Sequence, residues 1–407
     1  MKTWQSKAAV FLTSQTISLF GSSLVQYALL WHITLSTQSG KLMAGFIICG
    51  FLPVFFLSPF AGVWADRYNR KMLIILSDGM IAFATLILAV FFYYGYRSLG
   101  LIFVFSAWRA LGTAVQNPAV SAILPQIVPE SSLTRVNAIN GSIQSAIMLI
   151  SPLAGGALLA TTSLQNIFLI DVLTASLAIA ILLFFLPIEA HAKAQSEEKS
   201  GYFADLKEGL LYIKEHEYIR QFFIFCALFF FLVSPSAFLT PLQVVRSFGE
   251  DVWRLTAIEV TFSLGMILGG GLIAWWGGFR QKIYTLFLAT IAIAIFNVAL
   301  GITDSFIVYL VCMAVIGVAI PLFNTPSMVL LQEKVEINYL GRVFGVLGMI
   351  SSSVMPVAML LFGPLADLFS IEWMLIITGL LMVLLSFFLL RSKSLLEAGQ
   401  GHIQDNK

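Results

Sequence analysis

Apolar residues in this chain come in long runs separated by short polar stretches, without the strict alternation of a half-buried strand. The runs are Ala8 to Trp31, Leu42 to Ala65, Met72 to Tyr94, Leu99 to Leu124, Val136 to Ala160, Asn166 to Pro187, Tyr218 to Val244, Thr256 to Trp276, Ile283 to Ile302, Phe306 to Leu331, Val343 to Ala366 and Trp373 to Leu390. At ~1.5 Å per residue each is long enough, as a helix, to cross ~30 Å of hydrocarbon. The pattern predicts an all-α polytopic membrane protein with twelve transmembrane helices.

Two interruptions organise the rest. Gly62 to Lys71 (GVWADRYNRK) reads as a short charged loop between the second and third spans, with Asn69 suited to a positive φ. Ile188 to Glu217 is longer and polar, and splits the chain into a bundle over residues 1–187, a linker over 188–217, a second bundle over 218–391 and a tail over 392–407. The first part of the linker (EAHAKAQSEEKS) has the composition of a flexible segment. In its second part Phe203, Leu206, Leu210 and Ile213 recur at helical spacing, which predicts a helix lying on the membrane surface or a solvated linker helix. The halves resemble each other weakly at an offset near 207 residues, Pro118 answering Pro326 and Arg135-Val136 answering Arg342-Val343, as two parallel six-helix repeats would.

Composition agrees with this layout: 59% of residues are hydrophobic, 11% charged, and mean hydropathy is +0.91. Charge adds a direction. With both termini on one side, eighteen of the 23 Lys and Arg residues fall at that side, while Lys41, Arg97, Arg246 and Arg254 fall at the other and Arg109 lies inside a span. Cytoplasmic loops collect cations, so both termini are expected in the cytoplasm of a multi-pass inner-membrane protein. Lys2 and Lys7 precede a run too long for a signal peptide, which reads as a retained first span. Cys49, Cys226 and Cys312 lie within apolar runs and read as packing residues, with no disulfide, metal site or cofactor implied. There is no phosphate-binding loop for ATP, and no H-E-x-x-H, Ser/His or paired-acid constellation that would make the chain an enzyme.

Ionisable residues inside spans are costly and mark function by default. Four stand out: Asp78, Arg109, Asp171 and Glu259. Asp78 and Arg109 sit at similar depths from opposite ends of adjacent spans, so they can pair, either as a proton-coupling site or as a tie between helices. Asp171 lies near the start of the sixth span and is expected to be structural. Glu259 has two readings, an acid of a capping box spelled by Thr256-Ala-Ile-Glu259 or a proton site one turn from Phe262. His32 reads as an interfacial side chain. Polar and aromatic residues that could line a cavity for an amphipathic ligand are Gln15, Gln26, Tyr27, Trp108, Gln116, Asn117, Asn140, Gln144, Phe238, Gln243, Phe262, Asn324 and Ser327. Each could equally make an interhelical hydrogen bond. Prolines within spans predict kinks, and Gly265 and Gly269, four apart, predict a close helix crossing.

GVWADRYNRK is similar to the loop signature G-x-x-x-D-R-x-G-R-K between the second and third helices of major facilitator superfamily transporters, with Asn69 in place of the usual glycine. WRALGTAVQNPA, LPQIVPE, IEVTFSLGMILGGG and QEKVEINYLGRVFG resemble the macrolide-efflux branch of the drug:proton antiporters, and SPLAGG at Ser151 to Gly156 resembles the end of an antiporter motif. The resemblance implies two pseudo-symmetric six-helix bundles and alternating access, with substrate near the bilayer midplane between the halves. It implies export of a small amphipathic compound against protons by a monomer with no nucleic-acid partner. The alternatives are export of a siderophore or other endogenous metabolite, lipid transport, or a non-transporting sensor or scaffold. It ties Arg109 to proton coupling. It also makes Gly62, Asp66, Arg67, Arg70 and Lys71 a gating loop whose aspartate meets Arg342 at the start of the eleventh helix, while the counterpart loop in the second half has Trp275 where Asp66 would be.

Overall fold

The computed structural model describes residues 3–187 and 202–399, apart from the side chains of Asp66 and of residues 202–205, 337–338 and 397–399. The predicted flexible stretch EAHAKAQSEEKS, the side chain of Phe203 and the last part of the tail therefore lie outside the described residues. The described chain is helical throughout: α1 (Trp4–Thr37), α2 (Gly40–Arg67), α3 (Arg70–Tyr93), α4 (Leu99–Ile127), α5 (Glu130–Thr161), α6 (Leu164–Phe185), α7 (Tyr202–Glu215), α8 (Glu217–Phe238), α9 (Thr240–Phe248), α10 (Val252–Trp276), α11 (Lys282–Ile302), α12 (Phe306–Lys334), α13 (Ile337–Leu368), α14 (Ile371–Arg391) and α15 (Lys393–Gly399). Twelve segments are long and apolar enough to span a bilayer, with α8 and α9 together making one of them. Large apolar side chains stand exposed along these helices, among them Phe56, Leu76, Phe184, Leu268 and Leu384, as lipid-facing surfaces require. The chain is an all-α, twelve-span, multi-pass membrane protein.

Four local expectations are corrected. The seventh span is not one helix: Pro241 cannot donate a backbone hydrogen bond, so the helix stops at Leu239 and restarts as α9 with proline in its first turn. The loop expected over Gly62 to Lys71 shrinks to Tyr68 and Asn69, because α2 continues through Arg67 and α3 begins at Arg70. Asn69 has φ −64° rather than a positive value and caps α3, its side chain accepting from the Met72 N–H at 3.3 Å. The Thr256–Glu259 capping box does not form either, because α10 starts at Val252, and the Thr256 hydroxyl turns back to donate to the Val252 carbonyl.

The repeat offset recurs in the helix boundaries. α4, α5 and α6 start at residues 99, 130 and 164, and α12, α13 and α14 start at 306, 337 and 371, each 207 residues later.

Contacts divide the chain into two units. Unit 1 comprises Met1–Thr37, Gly45–Glu198 and Asp251–Thr256, and unit 2 comprises Gln38–Ala44, Lys199–Glu250 and Ala257–Lys407. In unit 1, α3 packs against α4 and α6, and α1 against α5 and α6. In unit 2, α11 packs between α12 and α14, and α8 lies against α13 and α14. An aromatic stack of Phe225, Phe229 and Phe323 ties α8 to α12, with Phe229 and Phe323 ring centroids 4.2 Å apart. α7 docks on the start of α13: Tyr212 stacks on Tyr339 at 4.4 Å and its hydroxyl accepts from the Glu336 N–H at 3.3 Å. The periodic pattern of α7 is partly met, since Ile213 is buried and Leu206 half-buried, but Leu210 is exposed.

Candidate functional site

Buried charge is concentrated in unit 1. Two close helix approaches build the place that holds it. At Gly21 of α1 a Cβ would lie 2.0 Å from the Thr174 hydroxyl oxygen and 3.1 Å from the Asp171 Cα, so α1 and α6 meet there nearly backbone to backbone. At Gly112 of α4 a Cβ would lie 2.6 Å from an Ile81 side-chain carbon and 3.2 Å from the Ser77 carbonyl, which brings α4 equally close to α3. Four helices thus present mid-span polar side chains to one another.

Arg109 of α4 forms an ion pair with Asp171 of α6, and the two are 8% and 0% exposed. Asp171 Oδ2 also accepts from the Thr85 hydroxyl at 2.9 Å, and Oδ1 accepts from the Ser22 hydroxyl at 3.2 Å. Arg109 in turn donates to Thr85 Oγ1 and to the Ser22 carbonyl. A charge buried in low dielectric is tolerable when paired and hydrogen-bonded, and this pair meets both conditions. Asp78 of α3, 1% exposed, stands apart from the pair: its Oδ1 accepts from the Ser18 hydroxyl at 2.7 Å and from the Gln116 amide at 2.6 Å. Its Oδ2 is buried with no hydrogen-bond partner, and so is the Gln15 Nε2, one turn before Ser18 on α1.

The pairing differs from expectation. Arg109 meets Asp171 rather than Asp78, because α6 packs against both α1 and α3 and carries Asp171 to a fully buried position. The sequence reading missed Ser18, Ser22 and Thr85. The signal was present in Ser14, Ser18 and Ser22, hydroxyls four residues apart on one face of the first span; Ser14 donates to the Ala178 carbonyl of α6. Glu259 is half-buried on α10 and makes no hydrogen bond or ion pair among the described residues.

The cavity candidates scatter. Gln116 belongs to the Asp78 cluster. Gln243 is buried with both ends of its amide bonded, donating to the Leu300 carbonyl and accepting from the Tyr309 hydroxyl, each at 2.9 Å, and Ser327 is buried with its hydroxyl on the Phe323 carbonyl. Trp108 stacks on Phe105 and meets Phe83 edge-on, in an apolar row with Val104 and Leu111. Gln26, Asn117, Gln144 and Asn324 are exposed, and Tyr27, Asn140, Phe238 and Phe262 are half-buried. On α5 the exposed face carries Asn137, Gly141, Gln144 and Ser145, and the matching face of α13 carries Gly341, Gly345, Gly348 and Ser352, so Gly141 and Ser145 answer Gly348 and Ser352 at the repeat offset. A cavity of about 210 Å³ in unit 1 is lined by His32, Phe92, Arg97 and the start of α6. It is smaller than the ~300 Å³ at which drug-sized sites begin.

The cations of the charged turn are engaged at helix ends. Arg70 donates to the carbonyls of Ala65 and Ala122, and Lys71 to those of Leu183 and Leu186 at the end of α6, where a cation suits the helix dipole. Gly62 is half-buried and Arg67 exposed, and the Asp66 side chain lies outside the described residues. Arg342 donates to Glu208 of α7 at 3.0 Å and lies over the Tyr339 ring, contacts the sequence reading did not anticipate.

Residues 11–359 match the family described as Major Facilitator Superfamily. The chain is 28% identical over 386 residues to Macrolide efflux protein A of Streptococcus pyogenes, covering 93% of this chain and 94% of that protein. It is 30% identical over 318 residues to Macrolide efflux protein A of Enterococcus faecalis, covering 77% of this chain and 97% of that one. Among solved structures, a POT family transporter in complex with 5-aminolevulinic acid superimposes with a TM-score of 0.72 at 15% identity, over 96% of this chain and 98% of that one, a likeness of fold.

Proposed function

Because the chain belongs to the Major Facilitator Superfamily, we propose that it is a secondary active exporter of small amphipathic compounds of macrolide type, driven by proton entry. The observation that carries this reading is the similarity to two macrolide efflux proteins along most of the chain. Export, alternating access and an orientation with both termini in the cytoplasm belong to the same proposal.

Two structural features support it. A membrane helix whose exposed face carries Asn137, Gly141, Gln144 and Ser145 is poorly suited to lipid, so on this reading that face of α5 turns to water and substrate. Buried carboxylates in unit 1 give protons a place to bind inside the membrane.

The test is accumulation of labelled erythromycin in cells lacking their own efflux systems. Expression of the chain lowers the steady-state level several-fold, and a protonophore restores it. Equal accumulation with and without the protein, across a panel of macrolides, would refute the substrate class.

A further inference from the structure

Among the described residues the first bundle holds two buried carboxylates and one buried cation, and we propose that they divide the work: Asp78 carries the exchanged proton, while Asp171 remains ionised as the fixed counter-ion of Arg109. The inference rests on the proton-driven reading above and assigns the residue within it.

The argument is one of partners. Asp171 uses both carboxylate oxygens, taking hydrogen bonds from Arg109, Thr85 and Ser22. Three donors, one of them a full positive charge, favour the anion. Asp78 has donors only at Oδ1, from the neutral groups Ser18 and Gln116, and its buried Oδ2 has none. Among the described residues no second cation contacts it, the other cations of α1 and α3, Lys7, Arg70 and Lys71, lying in the first turns of their helices. α1 contributes Ser18, α4 contributes Gln116 and Arg109, and α6 contributes Asp171. Arg109 lies two turns along α4 from Gln116, about 10 Å at the helical rise, and is committed to Asp171. With both acids ionised the cluster holds one uncompensated negative charge. With a proton on Asp78 it is neutral, and a neutral polar group without a partner costs far less inside a membrane than a bare charge.

The cycle then runs on one O–H bond. In the state open to the acidic side, Asp78 Oδ2 takes a proton from hydronium, which is left as water, and the carboxylate becomes a carboxylic acid. In the state open to the other side that bond breaks, the proton leaves to water, and the carboxylate is restored.

Infrared difference spectroscopy of purified protein, stepped in pH with no substrate added, reads the carbonyl stretch of a protonated carboxyl. Wild type shows such a band appearing as pH falls. Asp78→Asn loses it, and Asp171→Leu paired with Arg109→Met, which removes both charges of the ion pair at once, keeps it. In proteoliposomes Asp78→Asn still lets erythromycin equilibrate down its gradient but loses at least tenfold of the accumulation driven by a pH gradient. A band that survives in Asp78→Asn, or that vanishes only when Asp171 is changed, overturns the assignment. If wild type moves no erythromycin under any gradient, the macrolide reading falls, and the substrate-free spectra still decide which acid takes the proton.

Discussion

Removing one partner of the Arg109–Asp171 pair should cost far more than removing both. Asp171→Asn keeps the shape of the side chain and deletes its charge, leaving the Arg109 guanidinium, 8% exposed, without a counter-ion in the bundle core. Breaking a buried ion pair this way costs ~3 to 5 kcal/mol, whereas replacing both members with apolar side chains of similar volume is often neutral. The neighbours are equipped for the double change, because the Thr85 hydroxyl, once released from Asp171, can turn its proton to the Ile81 carbonyl 3.0 Å away. Against a total stability of ~5 to 15 kcal/mol, the single change removes about a fifth or more. Thermal unfolding in detergent micelles measures this: Asp171→Asn and Arg109→Met each melt well below wild type, and Arg109→Met with Asp171→Leu recovers most of the loss. Single variants within ~1 kcal/mol of wild type, or a double variant as unstable as either single, would show that the pair is not the buried tie described.

Other outcomes follow from other parts of the molecule. A Cβ at Gly265 would lie 2.3 Å from the Ala314 carbonyl oxygen, so Gly265→Val should destabilise by ~1 to 3 kcal/mol by forcing α10 off α12, while Gly270→Ala, which meets nothing within 4 Å, leaves the melting curve unchanged or slightly raised. Asp367 accepts from the N–H groups of Gly40 at 2.7 Å and Lys41 at 3.0 Å and from Arg246 at 3.1 Å, so Asp367→Ala should lose ~1 to 2 kcal/mol, mostly as the cap of α2, and speed hydrogen exchange at Ser39 to Leu42. Exchange unchanged at those amides would contradict the capping role. Glu215 is exposed at the end of α7, and Glu215→Cys in a cysteine-free background should react with a membrane-impermeant thiol reagent only in inverted vesicles. Reaction in intact cells would reverse the proposed orientation.

The span pattern was legible because each helix must satisfy its backbone within itself and present apolar side chains to lipid, which writes one long apolar run per helix. The repeat was legible for the same kind of reason: Pro118 and Pro326 fall within one residue of corresponding places in α4 and α12, and a proline shapes a helix wherever it falls. Helix ends were harder. α10 begins a turn before the apolar run, at Val252, because exposed residues such as Trp253 can sit in a helix without being counted as membrane-buried. The break at Leu239 was visible as Pro241, yet read only as a kink, since a proline at that spacing bends or stops a helix according to what packs around it. Pairing was harder still. Depth along a helix placed Asp78 and Arg109 at one level, but depth says nothing about rotation, and the packing of α6 against α1 and α3 gave Arg109 to Asp171. The same limit hid Glu208, whose contact with Arg342 depends on where α7 docks rather than on any local pattern.

Exchange of protons for a macrolide can be followed with purified protein in proteoliposomes. With the lumen buffered acidic relative to the bath and erythromycin added outside, protein of either orientation should concentrate erythromycin in the lumen above its bath level. A lumenal pH dye should report faster proton exit once erythromycin is added, and a protonophore should abolish the accumulation. Erythromycin that only equilibrates across the membrane, with no proton movement upon its addition, would contradict the account.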